Sequence, residues 1–508
     1  MFSCPNCGNN IRFDIASQKM HCPSCDTYLE PTLLPEKIRD AQTGMALDEK
    51  GEMEVTIYTC PQCGAEMLST DNDVTAFCSY CGASNILTER IAREKRPDCL
   101  IPFQITREDC KKAYAARMRK AVFAPSVLKK AEYIDGFRGI YMPYWSYDMT
   151  QKGEISINGV HEHRKGDYII QDHYRLSMDA DNSFKGVTHD ASSSFSDRIS
   201  ESLAPYDTGE MKAFHTAYLS GFYADTADID PEIYRPSQEH MAATETLSLM
   251  KKEKAFASYT KLANNNPAAA TKTKTTRVRR TLFPVWFMSW QHEGRVAYSA
   301  VNGQTGKITA DIPIDKKKYF LGVGLLAAVL FVLMNLFVVM KTSTVLTVSA
   351  VITTVGLTVY ALVLMNLLRE FDGRPDADKA NEKRNKKKFD LPGGLWLGLG
   401  LAFLGLFEGI YPLILAMPVG IIISCLSYHK KLGTRRGDLS LWILMVLFAL
   451  TAIVLLFSPY QDVIYYGMSA AMTVCTAACF LDVVWYHNQL MTRPLPKFDR
   501  EGGEADEA

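Results

Sequence analysis

The sequence has little of what would announce an activity. It lacks an excess of either charge: 56 Lys and Arg balance 56 Asp and Glu over 508 residues, which removes any global reason to bind nucleic acid or another polyanion. No G-x-S-x-G, H-E-x-x-H or glycine-rich nucleotide fingerprint occurs before the first long apolar run, so no nucleophile elbow, zinc-protease helix or dinucleotide loop is legible there. GQTGK at 303–307 looks like the end of a phosphate loop, yet Val301 stands where G-x4-G-K-[ST] needs its first glycine and Ile308 where it needs Ser or Thr. The first residues, MFSCPNCG, lack the charged and apolar regions of a secretory signal, so the head is expected to stay in the cytosol. No enzyme is expected.

Long apolar runs are present. Tyr319 to Met340 is 22 residues without a charge, and at ~1.5 Å per residue it reaches ~33 Å, enough to cross a bilayer core. Further runs at 344–367, 391–407, 410–428, 439–458 and 463–486 make six expected spans. Lys and Arg number eight in 368–390 and four in 429–438, against one in 341–343 and none in 408–409 or 459–462. That alternation expects a multi-pass protein of the cell membrane with both termini cytosolic and membrane lipid as its surroundings. Because the third and fourth runs are short and meet at Glu408-Gly409, a five-span arrangement with a re-entrant piece is the alternative. Glu408 and Asp482 sit near run ends and not at mid-bilayer, which speaks against transport, but Pro412 and Pro418 interrupt the fourth run and keep a transporter or channel with a regulatory head as the second functional reading.

Cysteine is concentrated at the start. Of 13 cysteines, Cys4, Cys7, Cys22 and Cys25 form C-x2-C-x14-C-x2-C, and Cys60, Cys63, Cys78 and Cys81 repeat it 56 residues later. Each C-x2-C puts two thiolates on one tight turn, and Gly8, Gly64 and Gly82 follow three of the turns where the backbone must fold back. Two such turns complete a tetrahedral S4 shell, so two Zn2+ per chain are expected, and Cys60→Ser should release one ion and unfold the second ribbon alone. A thioredoxin-type redox site would use one C-x2-C beside a βαβ pattern. Residues 1–88 carry five Lys or Arg against twelve Asp or Glu, and each S4 zinc centre adds about −2. Phosphate neutralisation needs the opposite sign, so no nucleic acid is expected and the ribbons read as protein-docking modules.

Between ribbons and membrane the pattern is α+β. Residues 83–98 are expected to form a short charged helix ending before Pro97, and Thr106–Val122 a basic helix with Thr106 and Asp109 in cap-like positions. From Ile140, segments such as GIYMPYWSYD, GEISING, DYIIQD, RVAYSAVNGQTG and KITADIPI read as strands, with Asn302-Gly303 a hairpin signal. An offset of 141 residues superimposes Pro143, Trp145 and Gly153 on Pro284, Trp286 and Gly294, hinting at two related sheet units. Glu239–Leu262 reads as helix and Ala263–Thr276 as an exposed connection. His161, His163, His173 and His189 alternate beside Lys and Asp and read as solvent-facing rather than as a metal set.

The organisation expected is therefore multi-domain: ribbon 1 at 1–30, linker 31–56, ribbon 2 at 57–88, a β-rich α+β cytosolic domain at 89–315, a helical transmembrane bundle at 316–487 and an acidic disordered tail at 488–508. With CPxCG ribbons, IPF at 101–103, GIYMPYW at 139–145, LFPVW at 282–286, VNGQTGK at 301–307 and a span directly after, the chain resembles a family of bacterial zinc-ribbon (TFIIB-type) membrane proteins. The resemblance covers residues 1 to about 340 and includes a Bacillus protein that accompanies an SPFH (flotillin-like) protein and a phage-shock-type protein. It implies a non-catalytic membrane anchor or adaptor for such a partner, possible as a homo-oligomer, in envelope-stress defence. A nucleic-acid-binding ribbon protein is the weakest of the readings.

Overall fold

The computed structural model describes residues 2–34, 52–69, 78–83, 88–262, 267–337, 341–372, 416–457 and 459–496, less a few single positions within those ranges. They divide into two compact units. One comprises Met1–Lys120, Val127–Ala310 and Pro494–Ala508, the other Ala121–Ser126 and Asp311–Arg493.

The first unit is built on β-structure. Its smaller sheet orders the short strands Phe2–Ser3, Asn10–Asp14, Lys19–Cys22 and Thr27–Leu29 side by side. Among the described residues its larger sheet has 13 strands and is centred on the antiparallel pair Arg138–Lys165 and Thr273–His292, which runs from Thr273 opposite Gln151 to Phe287 opposite Arg138 with a register shift between Thr275 and Arg277. Residues 139–147 of one and 281–289 of the other are buried without interruption. A strand covered on both faces is expected to be apolar throughout, which is why these stretches do not alternate. Leu282 pairs with Pro143 and Pro284 with Tyr141 in these adjacent strands. Trp145 Nε1 donates to Ile229 O and Trp286 Nε1 to Ile105 O, each at 2.8 Å.

Several local expectations are corrected. Residues 88–95 are a strand, not a helix, because eight main-chain positions pair with Glu52–Thr59 and that ladder outweighs the local charged composition. GEISING and DYIIQD are parts of one long hairpin, Arg138–Lys165 against Tyr168–Asp190, bulged between Phe184 and Val187. The central helix runs Pro231–Lys252 rather than 239–262: Asp230 caps it by accepting from Glu232 N at 2.8 Å, and Pro231 opens it. Of the expected connection 263–276, residues 263–266 lie outside the described residues, Pro267–Ala270 is helical and the long strand has begun by Thr273. The basic helix forms over Arg107–Lys120, where Thr106 Oγ1 accepts from Asp109 N at 3.2 Å and donates to Asp109 Oδ2 at 2.7 Å. The Asn302-Gly303 hairpin forms as expected, Arg295–Asn302 pairing with Ile308–Ala310.

The second unit is helical. Three of its helices are long and apolar enough to cross a membrane: Thr342–Leu368, Asp438–Phe457 and Asp462–Met491, with mean hydropathies of 2.1, 2.8 and 1.6. In Asp438–Phe457 the inward face is Leu441, Leu444, Phe448 and Thr451, at helical spacing, while Leu439, Trp442, Val446, Ile453 and Leu456 face outward. An outer face that apolar suits hydrocarbon, not water. The first apolar run is helical over Lys316–Phe337, the fourth is described only as the 16-residue helix Ala416–Lys431, and 391–407 lies outside the described residues. Three helices able to cross a membrane therefore stand among the described residues, and the expected six are not reached there. Of the expected tail, Asn488–Met491 completes the last helix, and Asn488 clasps Ile314 through both its amide atoms at 2.7 and 2.9 Å. Residues 497–508 lie outside the described residues.

Candidate metal centres

All eight predicted cysteines assemble as two tetrads. Cys4, Cys7, Cys22 and Cys25 form one and Cys60, Cys63, Cys78 and Cys81 the other, with the sulfurs of each set within 4.8 Å of one another. The turns are repeats of one geometry: Gly8, Asp26, Gly64 and Gly82 each donate their N–H to the carbonyl of the first cysteine of their pair, at 2.8–3.0 Å. All four residues have positive φ, from 55 to 78°. Glycine suits three of them, and Asp26 fills the fourth, as short polar residues can in that region.

The spacing tests whether zinc fits. A tetrahedron of thiolates at a Zn–S distance of ~2.3 Å has edges of ~3.8 Å. Measured edges are 3.6 Å for Cys4–Cys25, 3.5 Å for Cys7–Cys22, and 3.7 Å for both Cys60–Cys81 and Cys63–Cys78. A disulfide would need ~2.05 Å, and all eight are free thiols. The donor set therefore fits zinc. Without a cation four such groups cannot ionise together: contacts to Cys60, Cys63 and Cys81, then burial, push the Cys78 thiol far up, while contacts from Cys63 and Cys78 pull Cys81 down to about 2. A bound dication would favour thiolate throughout and release protons on loading. Metal analysis of protein purified without chelator should therefore return two zinc per chain, falling as pH drops.

The two centres differ in surroundings. In the first, Cys7 and Cys25 are exposed; its sheet leans on the head through Phe13 against Tyr218 at 5.2 Å, Ser220 Oγ donating to Ile11 O, and Gln18 Nε2 donating to Phe103 O. In the second, all four cysteines are at most 2% exposed and share one apolar core with Tyr58, Tyr80, Ile140, Met142, Phe195, Phe283 and Phe287. Strands Glu52–Thr59 and Glu66–Ser69 flank it and belong to the large sheet, reaching Arg138–Lys165 through Tyr223–Ala224. The identical spacing of the two cysteine sets carries no sign of this difference in embedding.

Tyr80, inside the last C-x2-C, leads to an unforeseen carboxylate. Asp225 is buried, accepts from Ser192 Oγ and Thr226 N, and is pushed up to about 7 by burial, offset in part by hydrogen bonds from Ser192 and Tyr80. A carboxyl whose folded pKa lies above its unfolded value of ~3.9 holds a proton that the unfolded chain gives up, so its contribution to stability is present below ~pH 4 and is lost as pH rises to about 7. The slope is at most ~1.4 kcal/mol per pH unit. Asp225→Asn, which keeps the neutral shape, should raise the thermal midpoint more at pH 8 than at pH 5.5; an equal shift at both would place the titration elsewhere.

Of the four histidines, His189 stacks on Tyr234 and His173 pairs across from Val160, on the strand face opposite His161. His161 and His163 instead come together with Asp172, a residue the sequence reading did not group with them.

The chain is 28% identical over 329 residues to the uncharacterized protein YdjG of Bacillus subtilis (strain 168), covering 63% of this chain and 93% of that protein. No family model and no solved structure matches the chain.

Proposed function

We propose that this chain is a non-catalytic, zinc-binding integral membrane protein of the cell membrane, with six spans and both termini cytosolic, that holds a cytosolic partner at the bilayer. The observation that carries the reading is the second tetrad. Four buried thiols leave no open coordination position, the arrangement of structural zinc, and they stiffen a large aromatic sheet instead of presenting a reactive ion. Helices long and apolar enough to cross a membrane supply the anchor. The resemblance to zinc-ribbon membrane proteins points to an SPFH (flotillin-like) or phage-shock-type partner in envelope stress, and the acidic ribbon segment disfavours nucleic acid.

A crosslinked pull-down of the intact protein tests it: recovery of an SPFH or phage-shock-type protein supports the adaptor. One observation favours the transporter reading. His429 is fully buried in the helical unit, with Tyr360 Oη 2.8 Å from its Nε2 and Asp438 Oδ1 2.7 Å from its Nδ1, so three helices meet at one polar cluster. Flux through reconstituted vesicles that vanishes on His429→Leu, with no partner recovered, would overturn the adaptor.

A further inference from the structure

The long hairpin Arg138–Lys165/Tyr168–Asp190 carries a third cluster of metal-ligating groups near its turn. Side chains two apart on a strand share a face, so His161 and His163 project together. Asp172 stands directly opposite His161 in the register, on the same face, and diagonal to His163. One ligand atom from each of the three lies within 4.8 Å of the others. His163 Nδ1 and Asp172 Oδ2 are 3.4 Å apart.

That distance selects between two readings. A charge-assisted hydrogen bond from imidazole to carboxylate closes to ~2.7–2.9 Å. Two ligands on one tetrahedral ion, each ~2.0–2.1 Å from the metal, are separated by ~3.4 Å. The observed pair is longer than that bond and close to that edge, and the other two pairs lie within 4.8 Å. Two neutral imidazoles and one carboxylate are also the donor set of borderline divalent ions, and three protein ligands leave the remaining positions to water.

We propose that His161, His163 and Asp172 bind a divalent transition-metal ion such as Zn2+ or Co2+, with solvent completing its shell. The site is independent of the cysteine tetrads and goes beyond the adaptor reading. His163 and Asp172 keep 44% and 43% of their side-chain surface open to solvent, so ion entry needs no rearrangement of the fold, and the site exchanges its ion readily. A signal that changes free metal would reach the head here while the buried tetrad stays loaded.

The test uses the full-length protein, free of any affinity tag, in detergent, with both tetrads loaded with Zn2+, titrated with Co2+ alone. One further equivalent should bind, showing only weak ligand-field absorption and none of the intense thiolate-to-cobalt charge transfer that displacement into a tetrad would give. His163→Ala and Asp172→Asn should each lower affinity at least tenfold, and His161→Ala with His163→Ala should abolish it, while the two zinc ions remain as the control for folding. No additional equivalent in the wild type overturns the proposal. So does an additional equivalent that the double variant still binds.

Discussion

Cys78→Ser is expected to unfold much of the head, whereas Cys7→Ser should loosen only the first ribbon. Structural zinc contributes ~10–16 kcal/mol to the fold it organises at neutral pH, against ~5–15 kcal/mol for the whole stability of a domain. Where that metal sits decides how far its loss spreads. The second tetrad is fully buried and its cysteines pack in one cluster with Ile140 and Met142 from one central strand and with Phe283, Val285 and Phe287 from the other. Taking away its ion leaves unshielded thiols inside that cluster and removes the clamp on strands that the large sheet needs. The first tetrad has two exposed cysteines and its own four-stranded sheet, so opening can stay local. The expectation from spacing alone, that Cys60→Ser would unfold one ribbon and spare the rest, therefore gives way to a wider effect. Hydrogen exchange on the full-length protein separates the outcomes: protection in residues 139–147 and 281–289 should be lost in Cys78→Ser and kept in Cys7→Ser. Equal retention in both would show the tetrads to be interchangeable modules.

The spacing of the eight cysteines was enough to locate both centres, because a thiolate pair on a two-residue turn is a local geometry written in consecutive residues. The long-range features were not legible in that way. Residues 88–95 carry a helix-like composition, and only the partner strand Glu52–Thr59 makes them extended. His161, His163 and Asp172 meet because a hairpin turn folds residue 172 back opposite 161, a register no local pattern states. Asp230-Pro231 was readable and would have placed the helix start correctly. The apolar runs gave the character of the second unit but not a count, since length and hydropathy say what can cross a bilayer and not how neighbouring short runs pair.

Phe103→Ala should cost the head about 3–5 kcal/mol, the usual range for emptying a large aromatic site in a core. Phe103 is fully buried and stacks on Phe222 at 4.4 Å, with Tyr141 at 5.0 Å and Trp286 at 5.1 Å. Phe103, Tyr141 and Trp286 come from IPF, GIYMPYW and LFPVW, three of the four head motifs on which the family resemblance rests outside the ribbons, while Phe222 lies outside them. The fourth, VNGQTGK, joins them through Gly303, where an added Cβ would lie 2.7 Å from both Phe103 and Pro284. Gly139 is as tightly placed, 2.5 Å from Phe222. The motifs are thus explained by one close-packed aromatic core in which two glycines let backbone approach ring, and a phosphate-binding role for GQTGK is not needed to account for its glycines. Gly303→Ala should then destabilise by overpacking, about 1–3 kcal/mol, although it adds apolar surface. Paired with Phe103→Ala it should cost less than the two changes separately, because the truncated ring frees the space that the new methyl requires. Denaturant midpoints of the four proteins, read from head tryptophan fluorescence, measure this. Strict additivity would show that the contact with Pro284, and not the ring beside it, is what excludes a side chain at 303.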